Sequence, residues 1–303
     1  MLSILISELN WSCYDLVHSL WSQASRLQVN FEIIVADDHS DNSETIIENR
    51  NINNIAHCSF IELKETLGRA SIRNWLADKS IYPFLLFLDC DAMVQSESFI
   101  KDYLDSVSLA NVVCGGVRHP DELPSKGVEL RYKYEKKADK RRDAKYRNKN
   151  KYSRFTTFSF MIERNVFMSV RFDEKIKNYG YEDVIFGATL EKKGVSIVHI
   201  NNPLIHLGIE SNAIYLRKIE ESIVSLVQSY HKLEGKSTLF SIYLFIKKAG
   251  LTPVILLLWK FLKKPIRSNL ESSKPMLALF ALYKIGYVCQ VDKYASATDN
   301  LPS

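Results

Sequence analysis

The run Phe84 to Leu88, FLLFL, is apolar at every position, and this feature limits the fold more than any other in the chain. A strand with one face in water alternates apolar and polar residues. An unbroken apolar run of this length suits a strand covered on both faces, as in a parallel α/β sheet. Four more runs, Leu2 to Leu9, Phe31 to Ala36, Cys58 to Leu63 and Asn111 to Val117, are short and apolar, with helical periodicity between them. Strands alternating with helices imply an α/β, Rossmann-like, mostly parallel sheet flanked by helices. After a break the pattern resumes with a strand over Phe155 to Ile162 and a helix start near Glu163. A further helix begins at Glu182, with Lys192 and Lys193 closing it and Gly194 as its cap.

The chain of 303 residues has room for one large α/β domain and an appendage, which we divide as 1–210 and a helical extension over 211–303. In the extension, Tyr215 to Leu233 has the spacing of a long outer helix. Leu239 to Lys264 is strongly apolar but broken by Lys247, Lys248, Gly250 and Pro253, so each piece is too short to span a bilayer. Lysines beside Trp259 and Phe261 suit helices lying in a membrane interface, with peripheral contact over 239–291. The alternative is that these helices pack on the catalytic body or on a second chain, so oligomerisation stays open.

Charge is unevenly spread. Arg131 to Arg154 carries twelve Lys or Arg against three acids, a local +9 in a chain of net charge +5, so the remainder is mildly acidic. The basic segment 131–154 reads as a solvated helix or loop, or, with its interleaved tyrosines, as a lip over an anionic ligand or membrane. No motif supports nucleic acid as a partner. Five scattered cysteines without a C-x-x-C pair disfavour a disulfide framework and a zinc site, and fit a reducing cytosol. The first residues, MLSILISELNW, lack a basic stretch and meet Glu8 too early for a secretory signal.

The chemistry-bearing residues fall at presumed strand ends and helix starts. Asp89 and Asp91 follow the FLLFL strand and would share one side if extension continued, converging on a hard divalent ion such as Mn2+ or Mg2+; otherwise they are a solvated turn. Asp37 and Asp38 follow the second strand and suit hydrogen bonds from a ribose or base edge, or a turn with Ser40 and Asp41. ETLGRASIRNWLA sets Gly68 before a helix and Arg69 and Arg73 four apart on one face, an arrangement suited to phosphate. Glu182 and Asp183 open a helix, either as caps on its dipole or with a carboxylate placed as a general base. In PLIHLG, His206 is a core residue or a metal ligand.

Taken in order, the acid pair, G-R-x-x-x-R-N, D-x-D, FDEKIKNYGYED and H-L-G resemble the family 2 inverting glycosyltransferases of GT-A fold, over about Met1 to Glu210. The resemblance implies a nucleotide-sugar donor, UDP-sugar favoured, and a glycan or lipid-linked acceptor of surface polysaccharide synthesis, at the inner face of the cell membrane. It implies that Asp38, with Asp37, meets the nucleoside; that Gly68, Arg69 and Arg73 serve the diphosphate; and that Asp91, with Asp89 assisting and His206 near, holds the metal. Asp183, beside Glu182, would be the catalytic base. SELNWS after the first strand and NYGYED before the acids depart from the usual family residues, and 131–154 reads as an insertion. A nucleotidyltransferase would need a glycine-rich loop where ELNWSCYDL has none, and a receiver domain would end far sooner. The alternative from another class is an inactive scaffold of the same fold in a glycan-assembly complex.

Overall fold

The structure is a computed structural model that describes residues 1–176, 180–233 and 237–298. Its strands are β1 (Leu2–Glu8), β2 (Phe31–Asp37), β3 (Cys58–Glu62), β4 (Phe84–Asp89), β5 (Ala92–Met93), β6 (Val112–Cys114), β7 (Val117–Arg118), β8 (Ser159–Glu163), β9 (Ile197–His199) and β10 (Leu204–His206). Its helices are α1 (Tyr14–Arg26), α2 (Ser43–Arg50), α3 (Arg69–Lys79), α4 (Phe99–Asp105), α5 (Glu129–Asp139), α6 (Ala144–Arg147), α7 (Arg164–Val170), α8 (Glu182–Lys192), α9 (Asn212–Ser229), α10 (Thr238–Lys248), α11 (Thr252–Glu271) and α12 (Leu277–Thr298). The chain forms two compact units, one of Met1–Pro120, Asp139–Lys177 and Glu182–Gly208, the other of Asp121–Ala138, Asn178–Tyr181 and Ile209–Ser303.

The first unit is built on a seven-stranded sheet in the order β3-β2-β1-β4-β8-β6-β9. β1 is parallel to both β2 and β4, whereas β8 runs antiparallel to its neighbours β4 and β6. Side chains of β4 alternate between two cores: Leu86 and Leu88 face one with α1 and α4, and Leu85 and Phe87 face the other with α3, α7 and α8. Both faces of the strand are therefore dry, which is why its sequence shows no alternation. Each of these four side chains is fully buried and contributes about 1.5–3 kcal/mol of burial energy. Strand order reverses between β1 and β4, and the carboxyl ends at such a switch point form a crevice for ligands.

Two expected strands are shorter than the apolar runs suggested. The run from Asn111 to Val117 splits into β6 and β7, and β7 joins a second, three-stranded sheet in the order β5-β10-β7. The break falls at Gly115, where a Cβ would collide with the Tyr103 hydroxyl and the Asn202 carbonyl, and at Gly116, whose φ of +101° belongs to glycine. In the other run extension begins only at Ser159, after a turn over the preceding residues.

The basic segment proves partly structural. Arg147 is buried, donating to the carbonyls of Cys114 (3.2 Å), Gly115 (2.9 Å) and Ile200 (2.6 Å) and to Nδ1 of His199 (2.8 Å). A guanidinium only donates, so His199 carries its proton on Nε2 and gives it to the Lys151 carbonyl at 2.8 Å. Burial, with Arg147 adding to it, pushes the His199 imidazole down to about 4. That part of the segment closes the end of β6 and β9 and is not a solvated face or an anion-binding lip.

The second unit is helical around Leu130, Tyr215, Leu216, Trp259, Ile266, Leu270, Phe280 and Tyr283. α9 starts at Asn212, three residues before the apolar spacing begins, because the Ser211 hydroxyl accepts from the Ile214 amide. Trp259 is a core residue and not an interfacial one: it is buried, packs where Gly286 leaves no Cβ, and donates Nε1–H to Gln290 at 2.8 Å. All five cysteines are free thiols.

Candidate active site

The strand register fixes a row of acids at the crevice. Glu8 is opposite Asp37 across β1 and β2, and Ser7 is opposite Asp89 across β1 and β4. The Asp37 carboxylate is buried and accepts from the amide and hydroxyl of Ser40 at 2.9 and 2.6 Å. Glu8 beside it is 1% exposed; its Oε1 accepts from the Trp11 amide at 2.6 Å, and its Oε2 has no hydrogen-bond partner among the described residues. Desolvation, with the charge of Asp37 adding to it, pushes the Glu8 carboxyl up to about 7. Sequence reasoning used Glu8 only to exclude a signal peptide; its pairing with Asp37, 29 positions on, is visible only in the register.

Asp38 points elsewhere. Its Oδ1 accepts from the Leu67 amide at 2.6 Å and its Oδ2 from the Gly68 amide at 3.0 Å, so it holds the loop that opens α3. Burial raises its carboxyl despite those two bonds. Gly68 is the N-cap of α3, with a φ of +83°.

α3 then presents its two arginines to a shared acidic cluster. Arg73 is 2% exposed and donates to Asp89 Oδ1 at 2.7 Å and to the Arg69 carbonyl at 3.1 Å. Glu182 lies 3.7 Å from Arg69 and 3.9 Å from Arg73. Here Arg69, Arg73, Asp89 and Glu182 form one network, with Glu182 at the amino end of α8, where the dipole also favours an anion. Asp183 follows, half-buried, and its Oδ1 accepts from the Val184 amide at 2.7 Å. Burial, then the charge of Glu182, raises its carboxyl above the usual carboxylate range.

Asp89 and Asp91 do not share a side. Extension ends at Asp89 and Cys90–Asp91 form a turn, so the two carboxylates find different partners. Asp91 Oδ2 sits 3.0 Å from Nε2 of His206. The short antiparallel pairing of β5 with β10 brings them together by setting His206 opposite Ala92. His206 is buried edge-on to Phe158 (5.2 Å) and to His119 (5.6 Å), and His119 in turn holds Asp139 at 3.0 Å. No local sequence signal points to His119, 87 positions from its neighbour His206. A cavity of about 510 Å³ lies beside this turn, lined by Trp11, Asp15, Glu48, Cys90, Met93 and Leu207 among others.

The Asp91–His206 pair suits a divalent ion. Adjacent ligands of an octahedral ion with bonds of about 2.1 Å lie roughly 3 Å apart, which is the separation found. A carboxylate and an imidazole are donors for manganese. Gly208 keeps the approach clear, since a Cβ there would overlap the Asp91 carboxylate. Among the described residues no three His, Cys, Asp or Glu side chains gather as a metal group, and Asp89 is turned to Arg73. Two protein ligands fit a site that substrate phosphate oxygens complete. Lys177, Asn178 and Tyr179 of the FDEKIKNYGYED stretch lie outside the described residues.

A switched parallel sheet whose carboxyl ends collect acids, guanidinium groups and an imidazole defines an α/β protein of GT-A architecture. The chain belongs to glycosyl transferase family 2, whose sequence model matches residues 14–176, more than half its length. No curated protein sequence matches the chain at a significant level. Among solved structures it is similar to the mannosyltransferase PcManGT from Pyrobaculum calidifontis in complex with GDP-Man and Mn2+, with TM-score 0.55, 10% identity, and coverage of 99% of this chain and 88% of that one. It is also similar to residues 1–349 of TarS from S. aureus, with TM-score 0.50, 15% identity, and coverage of 98% and 91%. TarS 1–349 in complex with UDP gives the same TM-score at 17% identity, again covering 98% and 91%. At such identities the likeness is one of fold.

Proposed function

We propose that the chain is a metal-dependent inverting glycosyltransferase of hexosyl type. It moves a sugar from a nucleotide-sugar, UDP-sugar favoured, to a hydroxyl of a glycan or lipid-linked acceptor in surface polysaccharide synthesis at the inner face of the cell membrane. The observation that carries this reading is the Asp91–His206 pair at the carboxyl end of the sheet in a family 2 chain. Similar folds bound to UDP, UDP-GlcNAc and GDP-Man with Mn2+ support a nucleotide-sugar donor.

Asp91 and His206 would hold the divalent ion, Mn2+ or Mg2+. When bound, the ion supplies positive charge to the diphosphate as it departs. Asp183 takes the proton of the acceptor hydroxyl; its raised pKa makes it the stronger base once ionised. The acceptor oxygen bonds to the anomeric carbon as the bond from that carbon to the diphosphate oxygen breaks on the opposite side, which inverts the configuration. Glu182 is held by Arg69 and Arg73, so its part is to place Asp183 at the start of α8. Arg69, half-exposed, is the guanidinium able to reach a diphosphate, whereas Arg73 is engaged by Asp89.

The engagement of Asp89 by Arg73 favours one rival, an inactive scaffold of the same fold. Calorimetric titration of UDP and GDP, with and without Mn2+, into the wild type and Asp91→Asn separates the two. Manganese-dependent UDP binding that the variant loses supports the transferase. A folded wild type that binds neither nucleotide sinks it in favour of the scaffold.

A further inference from the structure

Helix α11 is apolar on two faces, and among the described residues only one of them is covered. Trp259, Ile266 and Leu270 fill the core of the second unit. Val254, Leu257, Leu258, Phe261 and Leu262 recur at the spacing of a helical stripe, yet all are exposed, Phe261 by 73%. Helix α10 and the following turn also expose Ile242, Leu244, Leu251 and Phe245, the last 72% exposed. A cluster of large apolar residues this dense marks an interaction site.

Charge identifies the occupant. Thr238 to Leu270 contains five lysines, one arginine and no acid. Lys260 and Lys264 are exposed one turn apart on either side of Phe261, and Lys248 is exposed at the end of α10. A groove of about 660 Å³ between α10, α11 and α12 joins Lys247, Lys260 and Lys293 to Pro253, Leu256 and Leu257. The one acid among its described lining residues, Asp292, accepts from Tyr243 and from Lys247, at 2.8 Å from the latter. Protein interfaces are depleted of lysine at their centre, and pairing this face with its own copy would bring like charges together. Long lysine stems around an apolar stripe suit lipid, with the chains in the acyl boundary and the ammonium groups among the headgroups.

Among the described residues no single helix is long and apolar enough to cross a membrane; α10 and α11 together have the length and composition, but are bent by 116° at their junction. We infer that this face docks on an anionic bilayer, with α10 and α11 lying in the interface and not crossing it. This is independent of the donor chemistry proposed above.

The test is co-sedimentation of the full chain with sucrose-loaded vesicles of phosphatidylcholine alone and of phosphatidylcholine mixed with phosphatidylglycerol. We expect binding to the mixed vesicles only, weakening as salt rises. Lys260→Gln with Lys264→Gln should lower partitioning by roughly five-fold per lysine, ~25-fold for the pair. Leu257→Ser with Phe261→Ser should also release the protein. All four side chains are exposed, and an unchanged thermal midpoint confirms that each variant is folded. Failure of the wild type to sediment with the mixed vesicles, equal binding to both vesicle types, or wild-type binding by both double variants overturns the inference. So does lipid-free self-association that Phe261→Ser abolishes, shown by sedimentation equilibrium, when vesicle binding is absent; the face then meets a second copy.

Discussion

Glu8→Gln should change the stability of the first unit by an amount that depends on pH. In the folded chain the Glu8 carboxyl is pushed from an ordinary 4.5 up to about 7, chiefly by burial. Between those values the folded chain keeps the proton that the unfolded chain has released. The folded state thus binds more protons, and stability falls as pH rises. The loss begins near 4.5, is complete just above 7, and amounts to ~3 kcal/mol over the window. Glutamine cannot ionise, and its amide oxygen can still accept the Trp11 amide that Glu8 Oε1 accepts at 2.6 Å. The variant should therefore match the wild type near pH 4.5 and exceed it by ~3 kcal/mol at pH 8. For a unit of this size that is about 6–12 °C in melting temperature. Calorimetric melting of both proteins at pH 4.5 and 8 cancels every group they share. An offset that is the same at both pH values would refute the reasoning, because it would mean that Glu8 ionises freely in the folded chain.

Arg73→Met should destabilise the first unit by ~3 kcal/mol, because it leaves Asp89 and Glu182 without their buried cation. Adding Asp89→Asn should restore part of that in denaturant titration, and strictly additive losses would show that the pair is not coupled. Asp183→Asn should lower transfer by about 10²–10⁴-fold while UDP titration stays at the wild-type value; loss of UDP binding by the folded variant would remove Asp183 from the role of base.

Periodicity alone determined the layered α/β body. The β4 run lacks alternation because the strand is dry on both faces, and that condition leaves its mark in the residues themselves. α8 was equally legible: acids at its start, lysines at its end and Gly194, with φ of +66°, beyond it are local requirements of a helix. The site was legible as a set of residue types, since carboxylates at strand ends and arginines at a helix start are also local features.

Which side chain meets which was decided by tertiary structure. Whether Asp89 and Asp91 converge depends on where extension stops, and the chain turns at Cys90, sending one carboxylate to Arg73 and the other to His206. The Glu8–Asp37 pair follows from the parallel register of β1 and β2, and the Asp91–His206 pair from two short strands 115 positions apart in their acid and imidazole. Arg147 and Trp259 look like surface residues in a basic or amphipathic stretch, and both are buried, because burial is set by what packs against a helix from elsewhere in the chain. Local propensity is written in consecutive residues; register, burial and the raised carboxyl of Glu8 arise only from contacts between distant ones.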